Sequence, residues 1–232
     1  MHIKYNTNVG ILSGDAMMII AYQYLKKNAE DKAYELLSFF NKTAIEVCEG
    51  QQMDMNFEDP NAEVGLEQYL DMIAKKTAVL LGESLRLGAK MAGADETNCQ
   101  LIYEFGKNFG IAFQLQDDLL DLYGDPEKFG KQIGGDILAG KKTFLYLKAL
   151  EVASKEEADQ LKHWYYNEQS SADEKIEAVK ALFDKLDVKG LTTAEMNRFY
   201  LKSGMALHSI TVEDDRKKIL KEYAESLMVR EI

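Results

Sequence analysis

The chain has 232 residues, a net charge of −11, 46% apolar and 29% charged residues, and two prolines. That length supports one domain with a sizeable core, and the acidity argues against a nucleic-acid surface and against binding anionic lipid headgroups. No apolar run approaches the roughly 20 residues needed to span a bilayer, and the polar start does not read as a secretory signal.

With prolines so scarce, long helices are uninterrupted. Apolar residues recur at helical spacing almost throughout, without strand-like alternation. The pattern predicts helices from about Asn8 to Lys27 and from about Asp31 to Phe57, the second stopping before Asp59-Pro60-Asn61. A third is predicted from about Ala62 to Leu81 and a short fourth from about Glu83 to Met91. The fifth runs from Asp95 to Tyr123, and after a glycine-punctuated segment a helix resumes from about Asp136 to Val152. Capping boxes at Ser154/Glu157, Ser171/Glu174 and Thr192/Glu195 predict helix starts near 155, 172 and 193. A last helix is predicted from about Glu213 to Arg230. No linker, low-complexity tract or repeat divides residues 1–232, which read as a single all-α domain. Tyr24, Phe39, Phe40 and Met91 are assigned to its core.

Cys48 and Cys99 are far apart and form no C-x-x-C pattern, so no zinc or redox motif is supported. Reduced thiols in a cytoplasmic protein are the reading. His2, His163 and His208 show no ligand spacing.

The informative stretch begins at the end of the fifth predicted helix. It reads Phe113-Gln114-Leu115-Gln116-Asp117-Asp118-Leu119-Leu120-Asp121, followed by Gly124-Asp125-Pro126, Gly130-Lys131, Gly135-Asp136 and Gly140-Lys141-Lys142-Thr143. At helical spacing, Gly110, Gln114, Asp117, Asp118 and Asp121 share one stripe. Like charges at that spacing destabilise a helix by roughly 0.2–0.5 kcal/mol per pair, which a bound cation would offset. The plain alternative is a solvated acidic face. Carboxylates hold hard divalent cations and lysines hold phosphate oxygens, so the combination points to a phosphorylated substrate bridged by Mg²⁺. Gly135 to Lys142 nearly fits a nucleotide-binding loop, but Lys142 replaces the metal-binding hydroxyl and a helix precedes it where that motif needs a strand.

Residues 113–143 resemble, in order, the second aspartate-rich motif of the trans-isoprenyl diphosphate synthases of the polyprenyl synthetase family. That motif reads F-Q-x-x-D-D-x-x-D, then G-D, G-K, G-x-D and G-K-x-T, with Gly134-Gly135-Asp136 standing at its G-x-D. Gly50-Gln51-Gln52-Met53-Asp54 is similar to the family's G-Q-x-x-D. Lys76-Thr77 is similar to its K-T pair, and Ile11 to Ala16 to a segment leading into a central helix. The specific likeness covers roughly residues 6–150.

The resemblance implies an all-α, isoprenoid-synthase-type bundle. Its implied activity is Mg²⁺-dependent condensation of isopentenyl diphosphate with an allylic diphosphate, in a homodimer formed through central helices. Asp117, Asp118 and Asp121 would hold metal, with Asp117, Asp121 and Lys76 taking part in catalysis. Lys76, Thr77, Phe113, Gln114, Lys131, Lys141, Gln51 and Asp54 would bind substrate. Read without the family, Lys76 is an ordinary snorkelling lysine. Gln51 and Asp54 fit a polar helix face as well as a cavity wall, and Phe113 fits core as well as site. Lys142 is read as solvated.

The family's earlier D-D-x-x-D motif and its following arginines are not found, since Asp214-Asp215 is followed by Arg216-Lys217-Lys218. The expectation is therefore a bundle lacking its first helices, catalytically silent alone. A non-catalytic partner subunit of a complete synthase is the alternative. A terpene cyclase shares the fold, but the G-K and G-K-x-T lysines favour chain elongation.

Overall fold

The computed structural model describes residues 3–29, 32–125, 133–167 and 169–228. Among them there is no strand. The chain runs α1 (Thr7–Ala29), α2 (Ala33–Phe57), α3 (Leu66–Ile73), a π-helical segment (Ala74–Ala78), α4 (Val79–Met91) and α5 (Glu96–Tyr123). It continues with α6 (Gly135–Leu138), α7 (Phe144–Val152), α8 (Lys155–Tyr166), α9 (Ala172–Lys185), α10 (Val188–Ser209) and α11 (Asp214–Met228). No helix among the described residues is long and apolar enough to cross a membrane.

Helix α5 is the axis of the bundle and packs most extensively against α10 and α4. Its start is fixed by Asp95, whose carboxylate accepts the Asn98 N–H at 2.8 Å. One face supplies Ile111, Leu115, Leu119 and Leu122 to a core shared with α3, α7, α8, α9 and α10. Each fully buried leucine there contributes about 1.5–3 kcal/mol. A second core gathers Phe105 and Phe109 of α5 with Leu207, Ile210 and Ala224. Helix α1 packs chiefly on α2, and Ile11, Leu12, Met17, Ile19 and Tyr24 are exposed on it.

Several expectations are corrected. The third and fourth predicted helices are one continuous helical stretch from Leu66 to Met91, with the π segment inside it. Gly82 lies within α4 because a Cβ there would come within 2.8 Å of the Tyr103 carbonyl oxygen. The helix predicted from Asp136 to Val152 is two helices, parted at Gly140, whose φ of +64° suits glycine. The boxes at Ser154 and Ser171 form as expected, but Thr192 does not start a helix. It is buried inside α10, its hydroxyl donating to the Val188 carbonyl at 2.8 Å, while Glu195 pairs with Arg198. Tyr24 and Met91 are exposed rather than core.

Candidate active site

Four parts of the chain line a polar recess of about 120 Å³. α5 supplies Gln114, Asp117 and Asp118. α3 and the π segment supply Tyr69, Met72, Ile73 and Lys76. α2 and the residue after it supply Asp54, Phe57 and Glu58. The stretch from α6 into α7 supplies Asp136, Lys141, Lys142 and Thr143.

Each ammonium group is already aimed by a partner. Lys76 Nζ lies 2.6 Å from Asp54 Oδ2, and Lys141 Nζ lies 2.7 Å from Asp136 Oδ1. Next to Lys76, the Thr77 hydroxyl donates to Gln114 Oε1 at 3.3 Å. Lys142 is buried, not solvated, and donates to the Phe57 carbonyl at 3.0 Å and to the Asp59 carbonyl. It ties down the C-terminal end of α2, and burial lowers its pKa. The Tyr165 hydroxyl donates to the Lys141 carbonyl at 2.5 Å.

The three aspartates of α5 have different surroundings. Asp117 is half-buried and faces the recess. Asp118 is buried and takes the Tyr69 hydroxyl at 2.5 Å and the Phe144 N–H at 3.3 Å, both on Oδ2. Burial, with the neighbouring Asp136 and Asp117 charges adding, pushes its pKa up to about 8 against the pull of the Tyr69 bond. Asp121 accepts the Asp136 N–H at 3.0 Å. Its pKa is raised, first by burial and then by the Asp136 carboxylate.

The structure thus brings Asp54, Lys76, Gln114, Asp117, Asp118 and Lys141 to one recess, with Thr77 bonded to its wall. Asp121 stands behind it, bonded to the backbone of Asp136. Phe113 points elsewhere, joining the second core beside Phe109 with ring centroids 6.3 Å apart. Gln51 is exposed and does not line the recess. Lys131 lies outside the described residues. Sequence reasoning missed Tyr69 as the partner of Asp118 and Asp136 as the partner of Lys141. The second was within reach, because Asp136 belongs to the glycine-flanked motif.

The described residues thus form an all-helical bundle whose recess sets carboxylates against ammonium groups. Residues 1–182 match the polyprenyl synthetase family. Over 231 residues the chain is 36% identical to a short chain isoprenyl diphosphate synthase of Methanocaldococcus jannaschii, covering 99% of this chain and 68% of that protein. It is 32% identical over 234 residues to a geranylgeranyl pyrophosphate synthase of Geoglobus acetivorans, covering 100% and 70%. A crystal structure of a geranylgeranyl pyrophosphate synthase matches with a TM-score of 0.92 at 42% identity, over 100% of this chain and 72% of the other. The chain belongs to the polyprenyl synthetase family, and with it to the prenyltransferases. The matches run along its whole length, so they lend no support to the expectation that it is silent alone.

Prenyl diphosphate synthases generally use a divalent metal. Among the described residues, no three acidic, imidazole or thiol groups converge as a ready-made metal cage. The donor set still fits a hard cation. Carboxylates outnumber ammonium groups around the recess, and the Asp136 and Asp117 charges add to burial in raising the pKa of Asp118. Mg²⁺ takes one or two carboxylates and completes its shell with water and phosphate oxygens, which suits a recess that the half-buried Asp117 faces.

Proposed function

We propose that this chain condenses isopentenyl diphosphate with an allylic diphosphate. The arrangement that carries the proposal is Asp117 on α5 sharing one recess with Lys76 of the π segment and Lys141. Lys76 and Lys141, with Lys131, would take the allylic diphosphate, whose oxygens replace or share the Asp54 and Asp136 carboxylates. Asp117 would hold Mg²⁺, with Asp118 and Asp121 shaping its surroundings. Bound Mg²⁺ supplies positive charge to the departing diphosphate.

The residues of the chain do the rest. The lysines draw charge onto the leaving group as the allylic carbon–oxygen bond breaks. The isopentenyl double bond then attacks the allylic carbon, and a proton is lost to form the new double bond. The Thr77–Gln114 bond holds the wall of the recess in place.

A homodimer is part of the same reading, supported by the apolar residues exposed on α1, and the cytoplasm is the proposed location. The test is incorporation of radiolabelled isopentenyl diphosphate with dimethylallyl, geranyl or farnesyl diphosphate as primer. Incorporation that EDTA abolishes and Mg²⁺ restores is the expected result. No incorporation with any primer overturns the proposal.

A further inference from the structure

Lys76 and Thr77 sit on a π turn, in which the Val79 N–H donates to the Ala74 carbonyl five residues back. Such a turn is a wide, uncommon insert in an α-helix, often found at functional sites. Two glycines from two different helices press on it. On α2, a Cβ at Gly50 would lie 2.3 Å from the Lys76 nitrogen and 2.8 Å from the carbonyl carbon of Lys75. On α5, a Cβ at Gly110 would lie 2.7 Å from the Ala78 Cα and 2.8 Å from its Cβ. These contacts are with main chain or with a Cβ fixed to it, not with the tip of a flexible side chain. Neither position can carry a side chain unless the turn moves.

Each glycine lies one helical turn ahead of the residue that meets the functional pair. Four residues after Gly50, Asp54 holds the Lys76 ammonium at 2.6 Å. Four residues after Gly110, Gln114 accepts the Thr77 hydroxyl at 3.3 Å. Backbone contact and side-chain contact are therefore coupled on both sides of the turn.

We propose that Gly50 and Gly110 are positioning residues, a two-sided clamp that fixes the π turn and so aims the Lys76 ammonium and the Thr77 hydroxyl for a diphosphate. This rests on the diphosphate-binding reading of the recess. An internal control exists at the α4–α5 crossing. There a Cβ at Gly106 would lie 2.8 Å from the Gly82 Cα, about as close as the Gly110 contact but outside the turn.

The test titrates the full chain with inorganic diphosphate and Mg²⁺ by calorimetry. Gly50→Ala and Gly110→Ala should each weaken binding at least tenfold. Gly50→Ala should add nothing in a Lys76→Ala background, as coupled residues do in a double-mutant cycle. Gly106→Ala should lower the melting temperature and leave binding within twofold. Unchanged affinity in both clamp variants, additive losses with Lys76→Ala, or an equal loss in Gly106→Ala would each overturn the clamp. If Gly50→Ala does not fold, Gly110→Ala carries the same comparison from the other side. A second measurement needs no ligand: acetic anhydride labelling of Lys76, read by mass spectrometry, should run at least threefold faster in the clamp variants than in the parent chain. An unchanged rate overturns the clamp. A parent chain that binds no diphosphate would instead fail the functional reading, and the labelling would still decide the clamp.

Discussion

Tyr69 on α3 donates its phenolic hydrogen to Asp118 on α5 at 2.5 Å, and both side chains are buried. The same carboxylate oxygen receives the Phe144 N–H at the start of α7, where Thr143 makes no side-chain cap. Asp118 therefore joins three helices, whereas the adjacent Asp117 faces the recess.

Tyr69→Phe removes one of the two bonds to a buried carboxyl. The expected loss is about 1–3 kcal/mol, read as a lower urea midpoint with the far-ultraviolet dichroism of the folded protein unchanged. A midpoint equal to that of the parent would show the bond to be dispensable.

Asp117→Ala and Asp118→Ala should part company. The first should lower kcat for isopentenyl transfer at least a hundredfold, because its carboxylate matters most as the diphosphate departs, and shift stability by less than about 0.5 kcal/mol. The second should destabilise by about 1–3 kcal/mol through unpaired buried groups. Near-normal turnover in Asp117→Ala would remove the metal assignment.

The ends of α2, α5, α8 and α9 were legible because local signals fix them: Pro60 beyond one, Asp95 before another, and serine–glutamate boxes before the last two. The aspartate-rich stretch was legible because its residues lie close in sequence and combine unusual types. What was hidden depended on distant partners. Nothing local to Tyr69 announces Asp118, and nothing local to Lys142 announces the carbonyls of α2. Gly82 resembled a break because close helix crossings and helix ends both call for glycine. Thr192 resembled a cap because a buried threonine can satisfy its hydroxyl inside a helix.

Lys142→Met keeps the length of the side chain and removes its donor. The Phe57 and Asp59 carbonyls then lose their shared partner, at an expected cost of about 1–3 kcal/mol. Hydrogen exchange should quicken in the last turn of α2 and stay unchanged in α10. Protection equal to that of the parent at residues 55–59 would count against the tether.

Glu83 is buried on α4, one of its oxygens unpartnered, and burial raises its pKa above 4.5. The folded chain then keeps a proton that the unfolded chain releases. Its contribution to stability falls as pH rises from about 4.5 through the raised value, and levels off above it. Glu83→Gln should match the parent chain near pH 4 and exceed it increasingly toward pH 7, in urea midpoints taken across that range. A difference that does not vary with pH would sink this assignment.

Helix α2 meets its surroundings through Gly50 on the π turn, Asp54 on Lys76, and Phe57 on Lys142. An α-helix turns about 100° per residue. One residue inserted or deleted between Gly50 and Phe57 would swing at least one of these contacts to the wrong side. Ile45 and Met55, exposed on the same helix, can change in size without reaching the recess. The length of this interval is therefore more tightly constrained than the identity of its outward-facing residues. Natural variation along α2 should consist of substitutions, with gaps confined to the turns beyond it.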